Sequence, residues 1–155
     1  MNLDPEEFKA ALSRFASGVT VVTVASEGTL HGMTASSFAS VSLDPPRVLV
    51  CLDKSSRTRA LLSDTFAINV LSADQESISR AFANAGDKPF DSLDHEIGSS
   101  GAPLIRGALA WIECATSSIV DGGDHDIIVG DVIGCRQIKG QPLVYFARSY
   151  RTLGS

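Results

Sequence analysis

The sequence predicts a mainly β protein, an antiparallel barrel carrying short peripheral helices. Strand-like runs dominate the 155 residues, and most long connections have hairpin character. The regular βαβ alternation that a doubly wound parallel sheet requires is missing. A chain of this length buries roughly 70% of its unfolded surface, enough for a core without disulfides or a structural metal. The 44% hydrophobic and 20% charged content fits that reading.

The first element is a helix. Asp4 is a candidate N-cap, Pro5 fits the first helical position and Glu7 completes a capping-box-like arrangement. Phe8, Ala11, Leu12 and Phe15 then share one helical face, and Gly18 is expected to end it. Val19 to Ala25 reads as a strand, Glu27-Gly28 as a turn, and His31 to Ser42 as extended chain of unusually small residues. Pro45-Pro46 interrupts before a buried strand, Val48 to Leu52. Ser55 to Leu62 reads as a short helix and Phe66 to Leu71 as a strand. Ser72 and Gln75 form another capping-box signature ahead of Ile78, Ala81, Phe82 and Ala85, an i, i+3, i+4, i+7 stripe closed by Gly86. Residues 87 to 103 read as a long loop. Two long strands follow, about Ala108 to Val120 and Asp126 to Ile138, with Asp121-Gly122-Gly123-Asp124 as their hairpin turn. Leu143 to Phe146 is a last short strand, and a charged, aromatic tail ends the chain.

Composition excludes several functions. The formal charge is −5, no long Lys/Arg run exists and aromatics make up only 6%, which argues against a duplex-binding face or a base-stacking platform. Cys51, Cys114 and Cys135 form no C-x-x-C and sit among apolar residues, so buried, reduced thiols are expected. The acidic start is unlike a signal peptide, and runs such as Val19 to Ala25 are too short to span a bilayer. A cytoplasmic protein without membrane contact is the expectation. No G-x-G-x-x-G, G-x-x-x-x-G-K-[ST] or H-E-x-x-H occurs, and Gly98-Ser99-Ser100-Gly101 is one residue short of a nucleophile elbow.

Four segments remain that could carry chemistry. Thr34-Ala35-Ser36-Ser37 combines small side chains with hydroxyls, which suits either close approach of a flat polar ligand or a tightly packed strand crossing. Lys54-Ser55-Ser56-Arg57-Thr58, with Arg59, is either a phosphate-binding helix start or a capped surface helix with solvated bases. His125, in Gly123-Asp124-His125-Asp126, could bond a carboxamide, relay a proton or simply sit in a turn. A metal there lacks the histidine or cysteine partners that zinc and iron need, since His31 and His95 are not spaced to help. Tyr145, Phe146, Arg148, Tyr150 and Arg151 could cover a nucleotide, cross to a partner subunit or pack the terminus down.

The order of these motifs resembles the flavin reductase family, the small reductase components of two-component flavin monooxygenases. The resemblance rests on the runs Phe15 to Thr23, Gly32 to Phe38, Val41 to Pro46, Val48 to Cys51, Ser55 to Thr58, Phe66 to Leu71, Gly107 to Cys114 and Gly123 to His125. It implies one flavin-reductase-like split β-barrel domain over residues 1–155, acting as a homodimer with its site near the subunit interface. It implies hydride transfer from NADH or NADPH to FMN or FAD, and delivery of reduced flavin by diffusion to a partner monooxygenase. A flavin carrier, or a reductase of another acceptor such as ferric iron or a corrinoid, is the alternative on the same barrel. Carried over by position, Thr34, Ala35, Ser36 and Ser37 would contact the isoalloxazine and the neighbouring flavin chain. Cys51, Leu52 and Asp53 would line the site through backbone, and Ser55, Ser56, Arg57 and Thr58 would hold phosphate. Arg80 and Phe82 would add to the flavin side, His125 would position the nicotinamide, and Tyr150 and Arg151 would lie near the dinucleotide. The cofactors supply the reactive atoms in such chemistry, so no protein nucleophile is required. Members often carry a basic, glycine-rich stretch where this chain has Phe146-Ala147-Arg148-Ser149.

Overall fold

A computed structural model describes residues 2–154. Helix α1 (Pro5–Leu12) begins as the sequence predicts, with Asp4 accepting a hydrogen bond from Glu6 N at 3.0 Å. It stops at Leu12, well short of Gly18, because Ser17–Gly18 is already a strand, β1, paired with Tyr145 and Val144. Nor is the apolar face covered. No residue of α1 is buried, and Phe15, just past its end, is 80% exposed.

The centre is a seven-stranded antiparallel sheet. It contains β2 (Thr20–Ser26), β3 (Thr29–Ala35), β4 (Ala39–Leu43), β5 (Pro46–Asp53), β6 (Thr65–Val70), β9 (Ala110–Asp121) and β10 (His125–Gln137), ordered β3-β2-β6-β9-β10-β5-β4. The β2–β3 hairpin turns on Glu27 and Gly28, both at positive φ (51° and 81°), the backbone that matches the twist of a two-residue hairpin. The connection between the two edge strands is fastened to β5. Ser37, between β3 and β4, donates its hydroxyl to Cys51 O at 2.9 Å and accepts from Cys51 N at 3.1 Å. Inward residues of β5 alternate as a half-buried strand should, with Val48, Val50 and Leu52 in the core.

Two helices and two smaller sheets flank this body. Helix α2 (Arg57–Leu61) is capped by Ser56, which accepts from Arg59 N at 3.1 Å. Helix α3 (Glu76–Ala83) buries Ser79 and Phe82 and packs Ile78 and Ala81 against a core of Val19, Val21, Leu71, Phe90, Ile105 and Leu143. Only half of its expected capping box forms. Ser72 N donates to Gln75 Oε1 at 3.0 Å, while the Ser72 hydroxyl turns to Asp74. Residues 87 to 103 are not a structureless loop, since β7 (His95–Ile97) pairs with β8 (Pro103–Ile105). The C-terminal tail is also a strand: β12 (Ser149–Thr152) pairs with β11 (Leu143–Phe146), and β11 pairs with β1. The turn between them places Ala147 and Arg148 at φ 50° and 63°, a conformation glycine adopts more readily.

One buried amide ties three strands. Asn69, on β6, donates to Val21 O at 3.0 Å and to Thr23 Oγ1 at 3.2 Å, and accepts from Ile105 N at 2.8 Å. Every polar atom of the side chain is thereby engaged, as a fully buried amide requires. Of the three thiols, Cys114 is buried, Cys51 partly so, and Cys135 exposed, contrary to the expectation that all three are buried. Cys135 is carried on the outward side of β10, where apolar sequence neighbours do not imply burial. Burial, reinforced by Asp131 and Glu113, pushes the Cys114 thiol up to about 12, so it stays protonated.

Candidate functional site

The two segments singled out on chemical grounds meet. A groove of about 450 Å³ is lined by His31, Met33 and Thr34 of β3, by Ser55, Ser56, Arg57 and Thr58, and by Phe82 to Gly86 with Lys88. Its walls follow from the local sequence. Gly32 lets α3 press against β3, since a Cβ there would come within 3.3 Å of Phe82 Cδ1 and 2.9 Å of Val22 O. Ser56 turns the chain into α2 after β5, so the 55–58 segment faces the same opening.

Most of the hydroxyls that the sequence suggested for ligand binding are closed on the protein itself. Thr34 donates to Ser79 O at 2.6 Å, Ser55 to Asp53 Oδ1 at 2.6 Å, and Ser56 to Asp53 O at 2.8 Å. Thr58 is fully buried, its hydroxyl 2.8 Å from His31 Nδ1. Two of the three bases are also engaged. Lys54 is paired with Asp121, and Arg59 Nε donates to Asp126 Oδ2 at 2.8 Å, which fastens α2 to the β9–β10 turn. Arg57 is looser, 3.7 Å from the fully exposed Asp87. Lys88 has no acidic partner among the described residues. It donates to the carbonyls of Asn84 and Phe82, and burial lowers its pKa. The groove therefore presents two cations little offset by acid, which suits an anionic group.

His31, like Lys88, is a groove residue that the sequence did not offer. It is 6% exposed, and its Nε2 is buried without a hydrogen-bond partner. Burial holds its pKa below the usual histidine value, Lys88 and Arg57 push the same way, and the Gly86 carbonyl and Asp87 oppose them. That carbonyl does not close a hydrogen bond on Nε2. The direction fixes a linkage. Unfolded, His31 binds its proton near pH 6.5; folded, it does so only at lower pH. Between the two the unfolded chain holds more protons, so stability falls as pH drops through about 6.5 and levels off below the folded pKa. Thermal melts across that range should show a shallower acid slope for His31→Gln than for the parent. Identical slopes would count against a neutral buried His31.

The other expected residues are distributed around this groove. Arg80 and Tyr150 line a second groove, also about 450 Å³, with Ala83, Asn84, Tyr145, Arg148 and Ser149. Ala83 and Asn84 border both. There Tyr150 OH lies 2.6 Å from Ser79 Oγ, and the Arg80 guanidinium sits 4.8 Å above the Tyr150 ring. Ser36 lines a third opening with Phe15 and Leu12. Ala35 and Leu52 point into the core, Cys51 is held by Ser37, and Asp53 accepts from Ser55, which lowers its pKa. Arg151 is exposed and lines none of the three openings. His125 opens β10 opposite Asp53, its Nδ1 2.8 Å from Asp124 Oδ1, outside the groove.

A mainly antiparallel sheet with three short helices is the architecture of split-barrel proteins, the fold of the solved flavin reductase structures that the chain resembles. Residues 12–154 match the Flavin reductase like domain. The chain belongs to that family. It is 48% identical to FMN reductase (NADH) SmoA of Agrobacterium fabrum (strain C58 / ATCC 33970) over 140 residues, 89% of this chain and 80% of that protein. It is 41% identical to an NADH-dependent flavin reductase of Rhodococcus sp over 160 residues, covering 97% and 90%. Among solved structures, BorF, the flavin reductase component of a bacterial two-component tryptophan halogenase, superposes with a TM-score of 0.92 at 40% identity, covering 98% of this chain and 99% of that one. Streptomyces globisporus C-1027 NADH:FAD oxidoreductase SgcE6, in complex with NAD and FAD fragments, gives 0.91 at 39% identity, covering 99% and 97%. The predicted split-barrel class and flavin reductase membership are both borne out.

Proposed function

We propose that this chain is an NAD(P)H:flavin oxidoreductase that passes a hydride from NADH or NADPH to FMN or FAD and supplies reduced flavin to a separate monooxygenase component. The observation that carries the reading is the meeting of Thr34 with residues 55–58 in one groove that also holds Arg57, Lys88 and an unpartnered buried imidazole nitrogen. Flavin, when bound, supplies the redox chemistry. The residues here bind and orient it: Thr34 and Met33 at one end, Arg57 and Lys88 at the phosphate end, and Phe82 as an apolar wall. Ser36, Ser37 and the Cys51–Asp53 backbone shape the approach to the ring. Arg80 and Tyr150, in the adjoining groove, suit the dinucleotide donor, with Arg151 beside them on β12 and His125 positioning the nicotinamide from the β9–β10 turn.

A homodimer fits the uncovered apolar surface. Leu43, at the end of edge strand β4, is 94% exposed, and Phe15, Val41, Ile119 and Val120 are exposed with it. No helix among the described residues is long and apolar enough to cross a membrane, and the cytoplasm, where nicotinamide cofactors are at hand, is the proposed location. The test is a steady-state matrix of both nicotinamides against both flavins, followed at the nicotinamide absorbance. Consumption that depends on added flavin is expected, and its absence with all four pairs would refute the reading.

A further inference from the structure

Thr58 has a hydroxyl proton to place and one place to put it. The side chain is fully buried, and His31 Nδ1, 2.8 Å away, is its hydrogen-bond partner among the described residues. A buried hydroxyl that donated nowhere would forfeit a hydrogen bond for nothing. Thr58 therefore donates and Nδ1 accepts, which assigns the ring proton of a neutral imidazole to the other nitrogen. That nitrogen, Nε2, is the one buried side-chain polar atom among the described residues left without a partner. The ring borders the groove that Arg57 and Lys88 also line. A buried N–H beside two cations is matched by an oxygen of an anion.

We propose that His31, held by Thr58 in its Nε2–H tautomer, binds the flavin phosphate as a neutral, buried donor, and that Thr58 is a positioning residue that never touches the ligand. The inference rests on the reading of this groove as the phosphate end of a flavin site. It changes the part that Thr58 plays: the sequence offered it as a direct phosphate ligand, whereas its hydroxyl is committed to the ring. It also explains how the imidazole serves an anion without being charged. Protonating Nδ1 would turn Thr58 from donor to acceptor and strand its hydroxyl proton, while Lys88 and Arg57 disfavour a third positive charge. Asp87, the acid that acts on His31, is fully exposed and weakly paired to Arg57.

FMN and riboflavin differ by the phosphate alone, so flavin fluorescence quenching with each ligand isolates the contact. His31→Leu should weaken FMN about ten-fold and riboflavin less than about two-fold, with His31→Gln, which keeps an N–H donor, in between. Imidazole nitrogen chemical shifts of the ligand-free parent should report an Nε2–H ring, and Thr58→Val should shift that tautomer balance and weaken FMN selectively. Equal weakening of both ligands by His31→Leu, or no weakening of either, overturns the proposal, as does an Nδ1–H ring in the parent. Arg57→Ala run alongside separates the failures. If it discriminates FMN from riboflavin and His31→Leu does not, His31 alone is misassigned; if neither discriminates, the groove does not hold phosphate.

Discussion

Phe66→Ala is expected to cost about 3–5 kcal/mol of folding free energy, the range for emptying a fully packed aromatic site. Phe66, on β6, is completely buried and lies opposite Cys114 of β9, within a cluster that includes Val22, Val50, Leu52, Ile68 and Ile128. Its ring fills the space above Gly130 of β10. A Cβ built at Gly130 would stand 2.7 Å from Phe66 Cζ and 2.7 Å from Cys114 Cβ. The glycine is thus required by the phenylalanine, and the two positions should couple. Gly130→Ala alone should destabilise by about 1–3 kcal/mol through overpacking. On a Phe66→Leu background its cost should shrink, though not vanish, because the Cys114 contact remains. Urea unfolding of the four proteins measures this coupling, and additivity within about 0.5 kcal/mol would mean that the ring and the glycine do not share the space.

The same strands show what was legible in advance. β5 and β6 can be read from short apolar runs bounded by turn residues, and the sequence predicts β11 at its observed limits, Leu143–Phe146. These signals are local. β12 is not legible in the sequence because Tyr150 and Arg151 resemble a solvated tail, and what makes them a strand is pairing with β11 and the Tyr145–Tyr150 ring contact at 5.2 Å. β7 and β8 have three residues each, too few to show a period against the Gly, Ser and Pro around them. The end of α1 escaped for a different reason. Phe8, Leu12 and Phe15 keep helical spacing past the point where β1 pairing takes over the backbone.

At the groove, the sequence identified segments but not the direction of their side chains. Thr34 and residues 55–58 do converge, yet a serine in a sequence gives no sign of whether its hydroxyl faces a ligand or, as at Ser55 and Ser56, the chain just behind it. His31 and Lys88 carried no local pattern at all. A lone histidine on a strand and a lysine in a loop acquire meaning only when Thr58 engages one ring nitrogen and both residues come to line the same groove. For His31 the usable signal was its position, three residues before the small-residue segment on one strand, and that signal is weak.

Arg57→Ala is expected to weaken FMN about ten-fold or more while leaving riboflavin nearly unchanged, since a charge-assisted contact contributes roughly 1.5–3 kcal/mol. The expectation singles out Arg57 among three bases within six residues because the other two are spoken for. Lys54 is held by Asp121, and Arg59 by Asp126, in a contact where both side chains are mostly buried. Arg57 lines the groove, and its contact with Asp87, at 3.7 Å to a carboxylate in full contact with water, is too weak to compete with a phosphate. Arg59→Ala should therefore behave in the opposite way, lowering the melting temperature by loosening α2 from the β9–β10 turn without favouring one flavin over the other. Raising ionic strength should erode the FMN preference of the parent more than that of Arg57→Ala, because screening acts on the charge the variant has already lost. Equal losses of FMN and riboflavin in Arg57→Ala would move the phosphate away from α2 and leave Lys88 as the cation to test next.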